Sequence, residues 1–275
     1  MATPHRSPID SRKRIRHRKS IAKLRPDQLE ALRQGFREIQ RLRDSNGFWY
    51  WAGIHGAPRY QCEHSPEGGY DNLFLPWHRA YLYRLELALQ TKARRATLPW
   101  WDWPASRASG IPAAFGDAEA EGGPNPLAGS ELPPLLTERP GWPDHTSRRP
   151  RQPAELPDGD LVEKILGLSN FDDFSLQMEQ QLHNRVHGWV GGSMGIVAIA
   201  AYDPLFWAHH TMVDRLWSLW QTRHSSRGPR PALWRRVLRG LDMTVEDVLD
   251  TSALGYEYAG GTVSRLVSPG EGERG

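Results

Sequence analysis

The chain has 275 residues, 39% apolar and 24% charged, the proportions of a globule with one sizeable core rather than of a disordered chain. Its formal net charge of +3 hides an asymmetry, because seven Lys/Arg and one Asp fall within residues 1–20 and leave the body slightly acidic. The single cysteine excludes an internal disulfide framework, and no apolar run approaches the roughly 18 residues that span a bilayer.

The basic run "SRKRIRHRKS" has no interleaved aromatic residue, so a solvated, flexible tail over residues 1–17 is preferred to a nucleic-acid arm. The following "IAKLRPDQLEAL" puts charges where a secretion signal needs an apolar stretch, which predicts a cytoplasmic protein as encoded, with export on a carrier protein left open. At Pro26–Asp27 a helical period begins: Leu29, Leu32, Phe36, Ile39 and Leu42 share one face and predict a helix over 27–45. The aromatic segment "NGFWYWAGIHG" follows and stops at Gly56, and Pro76 introduces a second helix over 78–96. Residues 104–160 hold half of the 22 prolines and read as one long irregular excursion without its own core. A third helix is predicted over 173–188, stopped by Gly188 and a glycine pair at 191–192. The fourth has Asp203 as N-cap and Pro204 in its first turn. Short strands are expected only near 196–201 and 255–266. The pattern is mainly α, a four-helix bundle core with long loops and a few short strands.

The placement of the 11 histidines carries the chemistry. His183 and His187 in "HNRVHGW" are four apart, so their rings leave one helix face about one turn apart. That pair alone is a weak signal. His209 and His210 lie on the next helix, and successive residues differ by about 100° in direction, so one of the two points toward the earlier pair. On the far side of the excursion His55 ends the aromatic segment, His64 lies in a turn and His78 opens a helix. Two sets of three imidazoles among Trp and Phe suit copper or zinc, and the lack of carboxylates at the ligand positions argues against a hard cation. "HNRVH" lacks the glutamate of a zinc protease, and six imidazoles depart from carboxylate-rich di-iron bundles. Copper is preferred and zinc remains the rival.

These residues resemble the type 3 copper family of tyrosinases, catechol oxidases and hemocyanins. "HNRVHGWVGGSMG" with "DPLFWAHHTMVDRLWSLWQ" is similar to the family's second copper-binding region, and "WAGIHG" with "FLPWHRAYLYRLELAL" to the first. "LPWWDWP" and "GYEY" look like structural motifs of the same domain, and the likeness runs over about residues 18–260. It implies a catalytic domain over 18–265 and a flexible C-terminus over 266–275. It further implies two copper ions, one on His55, His64 and His78, the other on His183, His187 and His210, with His209 behind the second set. His64 and His78 are 14 apart where the family usually has about nine, so "SPEGGYDN" reads as a small insertion. Cys62-Glu63-His64 matches an arrangement in which cysteine and histidine are joined by a thioether, which would lock the imidazole.

The resemblance also implies a tyrosinase: ortho-hydroxylation of monophenols and oxidation of o-diphenols to o-quinones with O2 as co-substrate, as in melanin biosynthesis. Glu179 and Asn184 would hold a water that takes the phenol proton. Gly188 would leave the entrance open above His187, Val197 would overhang the second copper, and Phe206 would wall the pocket or pack the core. Asp214 would anchor a ligand helix through Arg79 or an imidazole, and Arg18 would meet the "YEY" tyrosines. A catechol or o-aminophenol oxidase is the first rival and a non-catalytic O2 or copper carrier the second. The expected partners are a phenolic small molecule and a copper-delivery helper protein, with no membrane and no nucleic acid; the oligomeric state is left open.

Overall fold

In the computed structural model, residues 15–65, 72–138 and 141–260 are described; most of the basic tail and residues 266–275 lie outside them. Helix α1 (Pro26–Arg41) starts at the anticipated proline and buries Leu32, Phe36 and Ile39 on one face. The aromatic segment forms α2 (Phe48–His55) and the next helix, α3, runs Phe74–Lys92. That helix begins a turn earlier than Pro76 suggested. A proline within the first turn removes an N–H that has no intrahelical partner, so it does not break the helix. His78 consequently sits one turn inside α3 instead of opening it.

Helix α4 (Gly159–Leu166) is capped by the Asp158 carboxylate and α5 (Phe171–Gln177) by the Asn170 side chain. The predicted third helix is composite. Beyond α5 the backbone widens into a π-turn over Met178–His183 and then resumes as α6 (Asn184–Val190). Such a turn inserts an extra residue per loop and turns side chains away from the regular helical face, a feature common at functional sites. The last long helix, α7 (Pro204–His224), has the Asp203 carboxylate accepting from the Leu205 N–H and is buried along nearly its whole length. A helix apolar all round belongs in a core.

The bundle packs α1 and α7 against α3, with the π-turn against α7. Strands are few. β1 (Arg16–Arg18) pairs in parallel with β6 (Tyr256–Tyr258), joining the two ends of the described fold; β2 (Glu119–Ala120) pairs antiparallel with β3 (Gly123–Pro124), and β4 (Val237–Leu238) with β5 (Met243–Thr244). The strand expected near 196–201 is instead a helical turn, Val197–Ala200, closed by Ile196 accepting from the Ile199 and Ala200 N–H groups. The long excursion is tied to the bundle by Arg148, whose guanidinium spans both Asp203 oxygens at 2.6 and 2.8 Å just before α7.

Asp214 is the polar centre of the core. Its carboxylate accepts from Arg79 Nε at 2.5 Å, Arg18 Nη1 at 3.3 Å, Tyr256 Oη at 2.7 Å and Tyr258 Oη. Arg18 also donates to Glu86 at 2.9 Å and lies 3.6 Å over the Tyr256 ring. Burial alone would raise the Asp214 carboxyl, but Arg79, Arg18 and the Tyr258 hydroxyl hold it below its usual range. One carboxylate thus fastens β1, α3, α7 and β6.

Candidate dinuclear metal centre

The end of the π-turn and two helix interiors bring the second set together. His183 closes the π-turn, His187 lies one turn on in α6, and His210 projects from α7. The Nε2 atoms of His183 and His187 each stand 3.3 Å from His210 Nε2. The opposite nitrogens are engaged elsewhere: His183 Nδ1 faces Asn184 Oδ1 at 2.9 Å and His187 Nδ1 faces the Met194 carbonyl at 2.7 Å. Donation from Nδ1 leaves the Nε2 lone pairs pointing at one another.

The other set lies against it. His55 ends α2, His78 rises from α3 with Nδ1 2.8 Å from the Phe74 carbonyl, and the His78 and His210 rings stack 4.5 Å apart. The ligand atoms of His55, Cys62 and His78 form one group within 4.8 Å, and those of His183, His187, His209 and His210 form another. His64 stands outside both. Its Nε2 is 3.4 Å from the Cys62 sulfur, which itself is 3.6 Å from His78 Nε2, and its Nδ1 is 2.7 Å from Glu179 Oε1.

Burial holds these imidazoles neutral. It lowers His55, His183, His209 and His210 well below the ordinary value, with neighbouring imidazoles adding to the effect. His78 is brought to about 3 and His187 to about 4, again chiefly by burial, although the backbone carbonyl bonded to each works the other way. Burial, then Glu179 and Glu63, raises the Cys62 thiol.

Two lone pairs and a third ring nitrogen facing one another are poorly served by any single N–H, and they suit a cation. Nitrogens bound at about 2.0–2.1 Å to one ion at tetrahedral to trigonal angles stand about 3.3–3.6 Å apart, which the second set matches. The donor set fits copper: imidazoles, one sulfur, and no carboxylate in either group.

The remaining predicted residues divide. Glu179 is buried, but its two oxygens already accept from His64 Nδ1 and the Ser65 N–H, each at 2.7 Å. Asn184 is exposed and its carbonyl oxygen meets His183. Gly188 is exposed with nothing within 4 Å of where a Cβ would stand, and Val197 is 54% exposed. Phe206 is fully buried, its ring 4.0 Å from that of His210 and 4.8 Å from that of His55. His209 is fully buried, stacks on His183 and touches Trp103, and neither ring nitrogen has a hydrogen-bond partner. Asp214 meets Arg79 and no imidazole. The Met194 carbonyl was not anticipated and carries no sequence signal, since any residue offers one. Gly56 could have been read: a Cβ there would lie 2.3 Å from the Ala198 carbonyl, so only glycine lets the end of α2 approach the turn carrying Val197.

The pattern for the common central domain of tyrosinase matches residues 45–223. The chain belongs to the tyrosinase family. It is 37% identical over 183 residues to a tyrosinase of Streptomyces glaucescens, covering 58% of this chain and 66% of that protein. It is 30% identical over 240 residues to hemocyanin units G and H of Sepia officinalis, covering 77% of this chain but 38% of that one. The chain therefore spans between about a third and two thirds of these curated relatives. Among solved structures, a functional unit of octopus hemocyanin superposes with a TM-score of 0.77 at 26% identity, covering 91% of this chain and 71% of that one. A tyrosinase from Burkholderia thailandensis shares the fold at a TM-score of 0.73 and 21% identity, covering 94% and 79%. The fold is that of the type 3 copper proteins, and a tyrosinase-family copper protein is what the donor set fits.

Proposed function

We propose that this chain is a phenol oxidase of the tyrosinase type. It would convert a monophenol and O2 to an o-quinone and one water, and two o-diphenols and one O2 to two o-quinones and two waters. The carrying observation is the abutment of the two imidazole sets, with His78 and His210 stacked and four rings donating Nδ1–H away from the centre. Bound there, two copper ions supply two-electron chemistry with O2.

In this reading His55, His64 and His78 hold one copper and His183, His187 and His210 the other. Cys62 and His64, in van der Waals contact, become joined by a thioether that fixes the imidazole. The phenol enters over Gly188, past the exposed Val197, and its ring meets the imidazole of His187. Glu179 keeps a lone pair on each oxygen and Asn184 keeps its amide N–H groups, so together they can hold the water that takes the phenol proton. His209 stiffens His183 by stacking, and Asp214 holds the helix that carries His210.

Copper analysis with oxygen uptake on tyramine and on 4-methylcatechol tests the reading. Two coppers per chain and turnover of both substrates, with a lag on tyramine, are expected. Turnover of the catechol alone supports the narrower oxidase. The hemocyanin relatives, which align over more of the chain than the Streptomyces tyrosinase does, favour a second reading as an O2 carrier. Reversible oxygen binding without turnover would establish that one. A phenolic substrate, a copper-delivery helper protein and a cytoplasmic setting belong to the same proposal.

A further inference from the structure

His64 differs from the other candidate ligands in how it is held. His55, His78, His183 and His210 are buried and lie on helices or at their ends, so packing sets their rings. The His64 side chain is 44% exposed, in a stretch without regular structure, 14 residues from His78. Packing cannot orient it. Its ring touches the Cys62 sulfur on one side and the Glu179 carboxylate on the other.

We propose that Asn72, Ser65 and Glu179 form a clamp that positions His64 for its metal across the long spacing to His78. The clamp has two grips, both from one helical segment. Ser175 lies in α5 and Glu179 in the π-turn that continues it, and their side chains reach Asn72 and Ser65. Glu179 accepts from His64 Nδ1 and from the Ser65 N–H, each at 2.7 Å. Ser175 Oγ donates to Asn72 Oδ1 at 2.8 Å, and Asn72 Nδ2 donates to Ser65 Oγ at 2.7 Å. The circuit runs from helix to Asn72, to Ser65, and back to the helix, and it is anchored by groups that are themselves buried: Asn72 and Ser175 fully, Glu179 nearly so. Residues 65 and 72 are thus fastened to each other and to the helix that carries His183.

The inference rests on the reading that His64 is a copper ligand. The plainer role for Asn72 is a cap, since its Oδ1 also accepts from the Phe74 N–H at the start of α3. A cap alone does not involve Ser65, and its loss would weaken the whole fold without choosing between the two coppers.

The test is a copper titration of the full chain against a competing chelator, with the thermal midpoint of the copper-free protein measured alongside. Removing an outer partner of a metal-bound histidine typically lowers metal affinity by about 10–100-fold. That factor applies to Glu179, the direct partner; Asn72→Ala and Ser65→Ala, one bond further out, are expected to weaken one copper step by several-fold and to leave the other unchanged, and His64→Ala should abolish the same step. Unaltered steps in Asn72→Ala and Ser65→Ala, or equal weakening of both steps, overturn the clamp. Should Asn72→Ala fail to fold, Ser65→Ala decides alone, because it removes only one surface-side acceptor. If His64→Ala keeps both steps at full strength, the ligand reading falls and the clamp with it, an outcome distinct from failure of the clamp itself.

Discussion

Cys62 lies between two imidazoles, 3.4 Å from His64 Nε2 and 3.6 Å from His78 Nε2, and burial keeps it a thiol. Forming a thioether to His64 removes the thiol hydrogen and one ring hydrogen, a two-electron oxidation for which O2 on the loaded protein is the acceptor. The peptide containing Cys62 and His64 should therefore be two hydrogens lighter after copper loading in air, and refractory to alkylation. A fully alkylatable cysteine in the loaded, active protein would refute the link. At Phe206 spacing leaves two roles open, and its burial favours the packing one. The ring is fully buried and packed on His210 and His55, so its expected role is to hold those imidazoles by packing. Phe206→Ala should cost about 3–5 kcal/mol of stability through the cavity it leaves, while KM for a small catechol stays within a few-fold. A large rise in KM at unchanged stability would restore the pocket-wall role.

The long elements were legible because burial imposes a period: Leu32, Phe36 and Ile39 announce α1, and Asp203–Pro204 announces α7. Five of the six histidines expected from the family's motifs sit in one of the two groups whose ligand atoms cluster. What could not be read are features set by partners distant in sequence. The π-turn has no residue code, and it determines where Glu179 points. His64 depends on Glu179, 115 residues away, and Arg18 reaches Asp214 across 196. The strand guessed at 196–201 failed because an apolar run without a pairing partner can close into a turn against Gly56 instead. Asp214 shows what such distant contacts are worth to the elements they join. Asp214→Asn preserves shape but leaves Arg18 and Arg79 buried with less countercharge, and breaking a buried ion network costs about 3–5 kcal/mol. For a chain of this size the thermal midpoint should fall by roughly 10 °C. A change within about 2 °C by calorimetry would mean that the tyrosines and Glu86 alone suffice.

A core that gathers imidazoles must keep them uncharged, and this gives the whole molecule a pH dependence that copper alone does not explain. In the metal-free fold His78 is neutral down to about 3 and His187 down to about 4, with His55, His183, His209 and His210 lowered as well, whereas an unfolded histidine titrates near 6.5. Above that value both states are neutral and nothing is lost. Below it the unfolded chain takes up protons that the fold cannot, so stability must drop as pH falls from about 6.5 toward 4. For His78 alone the loss at pH 4 approaches about 3 kcal/mol. Asp214, lowered in the fold, adds to the loss only below about pH 4, where the unfolded carboxyl protonates first. Copper binds imidazoles that are already neutral in the fold, so down to about pH 4 loading should raise the whole curve without changing its slope, and only below that does copper compete with protons for the folded sites. Thermal unfolding of chelator-treated and copper-loaded protein between pH 7.5 and 4.5 tests both statements. The copper-free midpoint should fall steadily with acidification, and the copper-loaded curve should run above it by a nearly constant gap. A copper-free protein whose stability is flat across that interval would mean that its imidazoles find protons in the fold, and that the two sets of lone pairs do not face one another as described.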